Sequence, residues 1–161
     1  MNTHHNCSII KDKFLLDDNF KTKKNAPQHH SNKTLNELLL GFCALNENNE
    51  IVLDCRYFKL IYNLNCLDGD AIIKYVINVI QSSLEKRELF IIHACLKSLS
   101  LTDIDKHYKF ICKISEALKV TFPDKLDKCF IYKAPFIFSQ LFTIISVFVD
   151  KKTMAKLELV A

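Results

Sequence analysis

The sequence predicts an α/β fold in which helices flank a mainly parallel sheet. Two patterns predict this class: several segments carry apolar residues at helical spacing, and short, continuous apolar runs lie between them. Continuous apolar runs are typical of strands that are buried on both faces, as they are in parallel sheets. Strand and helix alternate along the chain, which is the pattern of successive βαβ units.

The chain divides into two parts at about residue 34. Residues 1–33 are rich in His, Lys and Asn and contain one short apolar patch, so we predict a mobile N-terminal tail. The paired histidines at 4–5 and 29–30 lack acidic or cysteine partners at suitable spacing, which argues against a metal site. Residues 34–161 are predicted to form a single domain, because that length can bury a substantial core.

The first half of this domain begins with a helix-start signature. Thr34 and Glu37 are spaced as a capping box at the start of an amphipathic helix. Further along, residues 70–87 place branched apolar residues on one side and polar residues on the other, which predicts a long helix. The predicted elements, in order, are a helix over 35–45, a turn over 46–50, strands or extended segments over 51–53 and 58–62, a helix over 70–87 and a strand over 89–94.

The second half continues the same alternation. Thr102 and Asp105 start a helix whose apolar stripe runs to Leu118, with His107 predicted on its solvent-exposed side. Residues 122–124 are predicted to stop the helix and form a turn. The elements predicted after this turn are a strand over 129–132, a helix over 136–149 and a strand over 156–160.

Composition excludes several classes of function. The chain has only two glycines, Gly41 and Gly69, so it contains neither a P-loop nor a GxGxxG dinucleotide-binding turn. Its net charge of +4 comes from 22 basic and 18 acidic residues, and Arg56 and Arg87 are the only arginines. A nucleic-acid-binding protein usually has a denser basic stripe, so we expect no nucleic-acid partner.

The cysteines and the N-terminus indicate whether the protein holds a cofactor and in which cellular compartment it functions. None of the seven cysteines belongs to a CxxC pair, so we expect no zinc site, no disulfide framework and no cofactor. The N-terminus lacks the basic and apolar regions of a signal peptide. The longest uncharged stretch, residues 134–149, is too short for an ordinary membrane span. These features predict a protein of the reducing cytoplasm.

The predicted helix over 136–149 differs from the other long helices because it carries no charge. Its polar stripe consists of Ser139, Gln140, Thr143 and Ser146. A helix without Lys or Glu on its polar side is either buried on most sides or faces an apolar partner, ligand or membrane. The residues alone leave both alternatives open.

Four segments near the C-terminus give a more specific indication. They are Phe-Pro-Asp-Lys-Leu at 122–126, Cys-Phe-Ile-Tyr-Lys-Ala-Pro-Phe-Ile-Phe-Ser at 129–139, Phe-Val-Asp-Lys-Lys-Thr at 148–153 and Lys-Leu at 156–157. Their order and spacing resemble the C-terminal half of the CRAL-TRIO lipid-binding domain, the family of phosphatidylinositol-transfer and retinaldehyde-binding proteins. Residues 96–102 are similar to a segment further upstream in that domain, and the resemblance extends over residues 50–161.

This resemblance implies a sheet that floors an apolar pocket and a gate helix, at 136–149, that covers it. The protein would then bind, and transfer, a lipid or another small hydrophobic ligand without catalysis. It would act as a cytoplasmic monomer that contacts membrane surfaces transiently. The alternative is a protein-interaction domain that keeps this scaffold and has filled its pocket. The residues that the resemblance assigns to ligand binding are Ser100, Thr102, Phe136, Phe138, Phe142, Ile145 and Phe148.

The chain departs from the family pattern at several positions. Lys133 replaces an Asn before the gate helix, Ser98 replaces a Gly and Cys95 replaces an Asp. The sequence also ends at Ala161, where the family continues into further helices, so we expect a shortened member. No catalytic group competes with this interpretation. His93 lies in an apolar run and is predicted to be a core histidine with satisfied nitrogens, so we expect no enzyme.

Overall fold

The computed structural model describes residues 34–134 and 138–160, and these form seven helices and five strands. The tail predicted over 1–33 and the predicted ligand contact Phe136 lie outside the described residues. The helices are α1 (Leu35–Phe42), α2 (Cys55–Asn63), α3 (Gly69–Leu84), α4 (Leu101–Lys106), α5 (Tyr108–Thr121), α6 (Phe138–Ile145) and α7 (Lys151–Met154). The strands are β1 (Cys43–Leu45), β2 (Ile51–Asp54), β3 (Phe90–Cys95), β4 (Leu126–Tyr132) and β5 (Leu157–Val160).

The five strands form one sheet in the order β1-β2-β3-β4-β5. Strand β1 runs antiparallel to β2, and the other neighbouring strands are parallel. This mainly parallel sheet with helices against it confirms the predicted α/β class. The register defines a first face, which carries Ile51, Ile92, Cys129 and Leu157 in one row, and a second face, which carries Val52, His93, Phe130 and Glu158.

The main hydrophobic core lies on the first face of the sheet. Helix α3 packs there with Ile72, Val76 and Ile80, which are almost completely enclosed. Their spacing of four residues places them on one side of the helix, as the sequence pattern predicts. The second face carries a separate small cluster, Val52 with Cys95.

The first helix is shorter than predicted. The capping box forms as expected, since the Glu37 N–H donates to Thr34 Oγ1 at 3.3 Å and the Thr34 N–H donates to Glu37 Oε2 at 2.9 Å. However, α1 ends at Phe42, and residues 43–45 pair with β2 as a strand. A three-residue strand is too short to show an alternating pattern of its own. Leu45 also happens to continue the helical spacing of the apolar residues before it, so the predicted helix runs too far.

The prediction of a strand or extended segment over 58–62 is wrong, because these residues belong to α2. Asp54 caps this helix: its carboxylate accepts the Arg56 N–H at 3.1 Å and pairs with the Arg56 guanidinium at 2.7 Å. The buried residues Phe58 and Ile61 have the three-residue spacing of one helix face. A five-residue segment shows this spacing too briefly to separate helix from strand.

The predicted helix over 102–119 is interrupted at His107, which separates α4 from α5. The His107 ring is only 4% exposed and lies edge-on to the rings of Phe58 and Tyr62, at centroid distances of 5.1 and 4.5 Å. The prediction of a solvent-exposed His107 is therefore wrong, because the interruption reorients this residue toward α2. Burial, aided by the charge of Lys106, lowers the pKa of His107.

Candidate functional site

A cavity of about 310 Å³ lies between the first face of the sheet and the helices of the C-terminal half. Strands β3, β4 and β5 form its floor. Helix α5 forms one wall, and the end of α6 with its connection to α7 forms the other. The floor residues are Phe90, Ile92, Leu126, Cys129 and Leu157.

Two small side chains leave much of this space open. Ser115 on α5 and Cys129 on β4 both line the cavity, where larger residues would fill it. The Ser115 hydroxyl donates to the Ile111 carbonyl at 2.7 Å, so its hydrogen bond is made within its own helix. Burial raises the pKa of Cys129 to about 12, which keeps the thiol protonated and neutral. The interior is therefore suited to hydrocarbon.

Exposed charged residues mark the mouth of the cavity. Lys119, Asp124 and Asp150 line it and are exposed to solvent. The Thr153 N–H donates to Asp150 Oδ1 at 2.7 Å, and this hydrogen bond, with the charges of Lys152 and Lys119, lowers the pKa of Asp150. Asp150 is thus ionised at neutral pH. The cavity combines an apolar interior with a rim of two carboxylates and one ammonium group.

The helix beside the cavity is also shorter than the prediction of 136–149. Helix α6 ends at Ile145, and a tighter turn follows in which the Phe148 N–H donates to the Ile145 carbonyl at 2.9 Å. The Ser146 hydroxyl donates to the Thr143 carbonyl at 2.8 Å within this turn. Branched residues and serine have low helix propensity, so this segment does not prolong the helix.

The uncharged polar stripe of α6 faces a second groove, of about 500 Å³, between α6 and the junction of α4 with α5. Ser139, Gln140 and Thr143 line this groove opposite Leu101 and Tyr108. The Thr143 hydroxyl donates to the Ser139 carbonyl at 2.8 Å, so it is satisfied within α6. The stripe therefore lies beside an open groove.

A family model of the CRAL/TRIO domain matches residues 71–161, which is more than half of the chain. The chain belongs to the CRAL/TRIO family. This family is known for binding and transferring lipids and other small hydrophobic ligands, and its members are generally not catalysts.

The CRAL/TRIO assignment agrees with the fold. The crystal structure of Sfh5 is similar to this chain, with a TM-score of 0.63 and 16% sequence identity, and the likeness covers 91% of the chain. At that identity the likeness shows a shared fold. The chain spans 57% of the length of Sfh5. A comparison with curated proteins gives no match.

Four of the ligand-binding residues predicted from the CRAL/TRIO resemblance lie in or just after α6. Ile145 lines the cavity. Phe138 packs against the main core, with its ring 5.5 Å from that of Phe142, and Phe142 is 36% exposed. Phe148 is half-buried in the turn after α6 and is not one of the lining residues.

The other two described residues of this set lie further away, at the start of α4. Ser100 is the N-cap of that helix and accepts the Asp103 N–H at 3.2 Å. Thr102 is exposed on its first turn. Neither lines the cavity, so among the described residues the structure places one predicted ligand contact, Ile145, on its wall.

Most cavity-lining residues belong to elements that the sequence assigns to the core. Leu118 lies on the apolar stripe of α5, yet none of the described residues of α5 is buried. Ser115 lies on the same stripe, between Ile111 and Leu118, and is small where a core position is usually large. That break in the stripe is the signal in the sequence that could have indicated a cavity.

Two departures from the CRAL/TRIO pattern occupy left-handed backbone. Ser98 has a φ of 70° and Lys133 a φ of 59°. Glycine adopts this conformation freely and asparagine tolerates it, whereas other residues are strained there. The family pattern has Gly and Asn at these two positions. In this chain the loops that lead from β3 to α4 and from β4 to α6 therefore carry backbone strain.

The second face of the sheet carries a polar network that no pattern in the sequence indicates. His93 Nε2 lies 2.9 Å from Glu50 Oε2, and His93 Nδ1 lies 2.9 Å from the Tyr132 hydroxyl. Burial raises the pKa of Glu50, but hydrogen bonds from Asn46 and His93, with the charges of His93 and Arg87, outweigh it and lower the pKa. Both His93 nitrogens are satisfied, although the ring is half-buried on the second face rather than enclosed in the main core.

No described helix is both long and apolar enough to cross a bilayer. The described residues also contain no group of three or more His, Cys, Asp or Glu side chains placed to hold a metal ion. The six described cysteines are free thiols.

Proposed function

We propose that this protein binds a lipid or another small hydrophobic molecule in the cavity between the sheet, α5 and the end of α6, and transfers it between membranes without catalysis. The observation that carries this proposal is the cavity itself, about 310 Å³ of apolar space with a charged rim, in a CRAL/TRIO chain. Its size is at the lower end of the range for small-molecule sites, about 300–1,000 Å³. Burial of apolar ligand surface would supply affinity at about 25 cal/mol per Å².

The alternative, a protein-interaction domain, requires that side chains fill the pocket. Ser115 on the wall and Cys129 on the floor are instead small and leave space between these two elements. The apolar residues of α5 and α6 are at most half-buried, so they have apolar surface available for a ligand. These features support ligand binding over the alternative.

An exposed surface with apolar side chains and lysines lies beside the cavity. Phe142 and Val147 are exposed, Val147 by 77%, and Lys151 and Lys152 follow on α7. Exposed apolar side chains can enter the bilayer interface while lysines are attracted to anionic headgroups. We propose that this surface contacts the membrane during exchange, with the protein acting as a cytoplasmic monomer.

The ligand contacts follow from the same proposal. Ile145 lines the cavity and would contact the ligand while α6 keeps the position seen in the structure. The aromatic residues Phe136, Phe138, Phe142 and Phe148 would meet the ligand or the membrane when the gate moves, as lid motions generally permit. Ser100 and Thr102 stay predictions from the resemblance.

The decisive experiment is native mass spectrometry and solvent extraction of the purified protein, before and after incubation with lipid vesicles. We expect a bound hydrophobic molecule. Cys129→Trp should abolish uptake because it fills the cavity, whereas Cys66→Trp, at an exposed cysteine outside the cavity, should leave uptake unchanged. A ligand-free mass with no uptake from vesicles would overturn the proposal.

The membrane step has its own test. Phe142→Asp with Val147→Asp should slow exchange between fluorescent vesicles at least tenfold and leave the amount of ligand bound at equilibrium unchanged. Leu40→Asp, at an exposed apolar residue on α1, is the matched control. Phe138→Asp is not suitable, because Phe138 packs against the main core. Unchanged exchange in the double variant would place the membrane contact elsewhere.

A further inference from the structure

The cavity also limits which lipid it accepts. We propose that the ligand is a single-chain lipid with an uncharged hydroxyl headgroup, of the monoacylglycerol or long-chain alcohol type, rather than a two-chain anionic phospholipid. This inference rests on the proposed function and narrows its substrate class. Two independent observations carry it: the volume of the cavity and the charges on its rim.

The volume fits one hydrocarbon chain. A dry cavity of about 150 Å³ holds one benzene, which is about 25 Å³ per carbon. At that density, the 310 Å³ of this cavity takes about a dozen carbons. A phospholipid with two long acyl chains carries about three times as many carbons and would need about 900 Å³. The second groove shares no lining residue with this cavity, so its volume is not counted here.

The rim disfavours an anionic headgroup. Two carboxylates, Asp124 and Asp150, line the mouth against one cation, Lys119. The positive charges of Lys119 and Lys152 already stabilise the ionised form of Asp150. The charge of Lys119 is therefore partly offset before any ligand binds. A phosphate or carboxylate placed in this mouth would meet two like charges, which is unfavourable at contact distance.

A hydroxyl headgroup suits the same rim. Carboxylates accept hydrogen bonds from hydroxyl groups, and an ammonium group donates to an ester carbonyl or a hydroxyl oxygen. Such hydrogen bonds involve a charged partner and are stronger than neutral ones. The lysines outside the lining, such as Lys151 and Lys152, remain available for an anionic bilayer surface.

The experiment measures displacement of the neutral fluorescent probe N-phenyl-1-naphthylamine from the purified protein. The competitors are monoacylglycerols of 8 to 18 carbons, free laurate and vesicles of a two-chain phosphatidylinositol. We expect monoacylglycerol affinity to rise about fourfold with each added CH₂, up to about twelve carbons, and then to level off. Laurate should bind at least tenfold more weakly than monolauroylglycerol, and phosphatidylinositol should not be taken up.

Charge variants of the rim test the headgroup argument. Asp124→Asn with Asp150→Asn should strengthen laurate binding severalfold, because two like charges are removed, and should weaken monolauroylglycerol binding severalfold, because its hydroxyls lose two charged acceptors. Asparagine suits both positions, because it tolerates the φ of 57° at residue 124 and can cap α7 at residue 150. The matched control is Asp105→Asn with Glu116→Gln, which changes the charge equally at exposed residues that do not line the cavity.

The outcomes separate this inference from the proposed function. Stoichiometric uptake of phosphatidylinositol, blocked by Cys129→Trp, would overturn the single-chain inference and leave the proposed function standing. Laurate binding as tight as that of monolauroylglycerol would overturn the headgroup inference. If the probe and every competitor fail to bind, the proposed function itself is wrong.

Discussion

The region from β1 to β3 and the region from α5 to β5 contain similar apolar side chains but differ in how completely these side chains are buried. Every described side chain with less than 2% exposure lies between Cys43 and Cys95. By contrast, the described residues of α5, α6 and α7 include none that is buried. The first region therefore resembles a solid core, and the second borders a cavity.

This difference shows that apolar content and core packing are separate properties. Apolar side chains stabilise a fold when they fill space against one another, and contacts are lost when a gap remains. In the second region, the gap between α5 and the sheet leaves apolar surface that a ligand could cover. We therefore expect stability to depend mainly on the first region and ligand uptake on the second.

The largest expected contrast is between two isoleucine truncations. Ile72→Ala should lower the free energy of unfolding by about 3–4 kcal/mol, because Ile72 is fully enclosed and its loss leaves a void. Ile145→Ala should lower it by about 1 kcal/mol or less, since Ile145 borders a cavity that already exists. Urea unfolding of both variants measures the difference. Equal losses would show that the two regions pack alike.

The two glycines give the next contrast. A Cβ at Gly41 would lie 2.5 Å from the Tyr57 ring, whereas at Gly69 it would lie 3.3 Å from Phe110. Gly41→Ala should destabilise the protein by about 1–3 kcal/mol, because α1 and α2 would have to separate. Gly69→Ala, the control, should be close to neutral. Thermal unfolding checks both, and a harmless Gly41→Ala would mean that α1 packs loosely.

His107, at the boundary of the two regions, gives a pH-dependent contrast. Its lowered pKa means that, as pH falls below about 6.5, the unfolded chain gains a proton that the folded chain resists, so stability falls. His107→Phe keeps an aromatic ring beside Phe58 and removes a buried Nδ1 that has no hydrogen-bond partner among the described residues. We expect about 1 kcal/mol of stabilisation at pH 7. The loss of stability between pH 6.5 and 5 should also become smaller.

The control for His107 separates burial from charge. Lys106→Gln removes the nearby cation but leaves the ring buried, so most of the acid-dependent loss should persist, because burial is the larger cause. Urea unfolding at several pH values measures this loss. A pH profile that His107→Phe leaves unchanged would contradict the assignment.

The smallest expected effects concern the strained loops. Ser98→Gly and Lys133→Asn should each raise the free energy of unfolding by up to about 1 kcal/mol, because they relieve a left-handed backbone. Ser82→Gly, on the exposed side of α3, is the control and should cost about 0.5 kcal/mol. Thermal unfolding checks the signs. Destabilisation by Ser98→Gly would show that the loop is not strained.

Sequence patterns predicted the long elements well and the short ones poorly. Helix α3 is confirmed because its helical period extends over many residues, and strand β3 is confirmed because its continuous apolar run is typical of a buried strand. Strand β1 was predicted as the end of a helix, and part of helix α2 was predicted as a strand or extended segment. Both elements are too short for their own spacing of apolar residues to be distinguished. His107 was misplaced for a related reason, since a break in the helix changes which side of it faces the core.

The candidate site was predicted in outline only. The resemblance indicated an apolar pocket beside the helix that begins near residue 136, and Ile145 does line a cavity. The opposing small residues, Ser115 and Cys129, were missed because they lie on different elements and form a gap only when α5 packs on β4. Similarly, the partners of His93 come from a turn and another strand, Glu50 and Tyr132.

The sequence by itself determined the class of fold and the family, because periodicity and local motifs are properties of neighbouring residues. It also determined that one helix carries no charge. The tertiary structure alone decided where the cavity lies, how large it is and which charges surround its mouth. A cavity is the volume that several elements leave unfilled between them, and it is fixed only when those elements have packed.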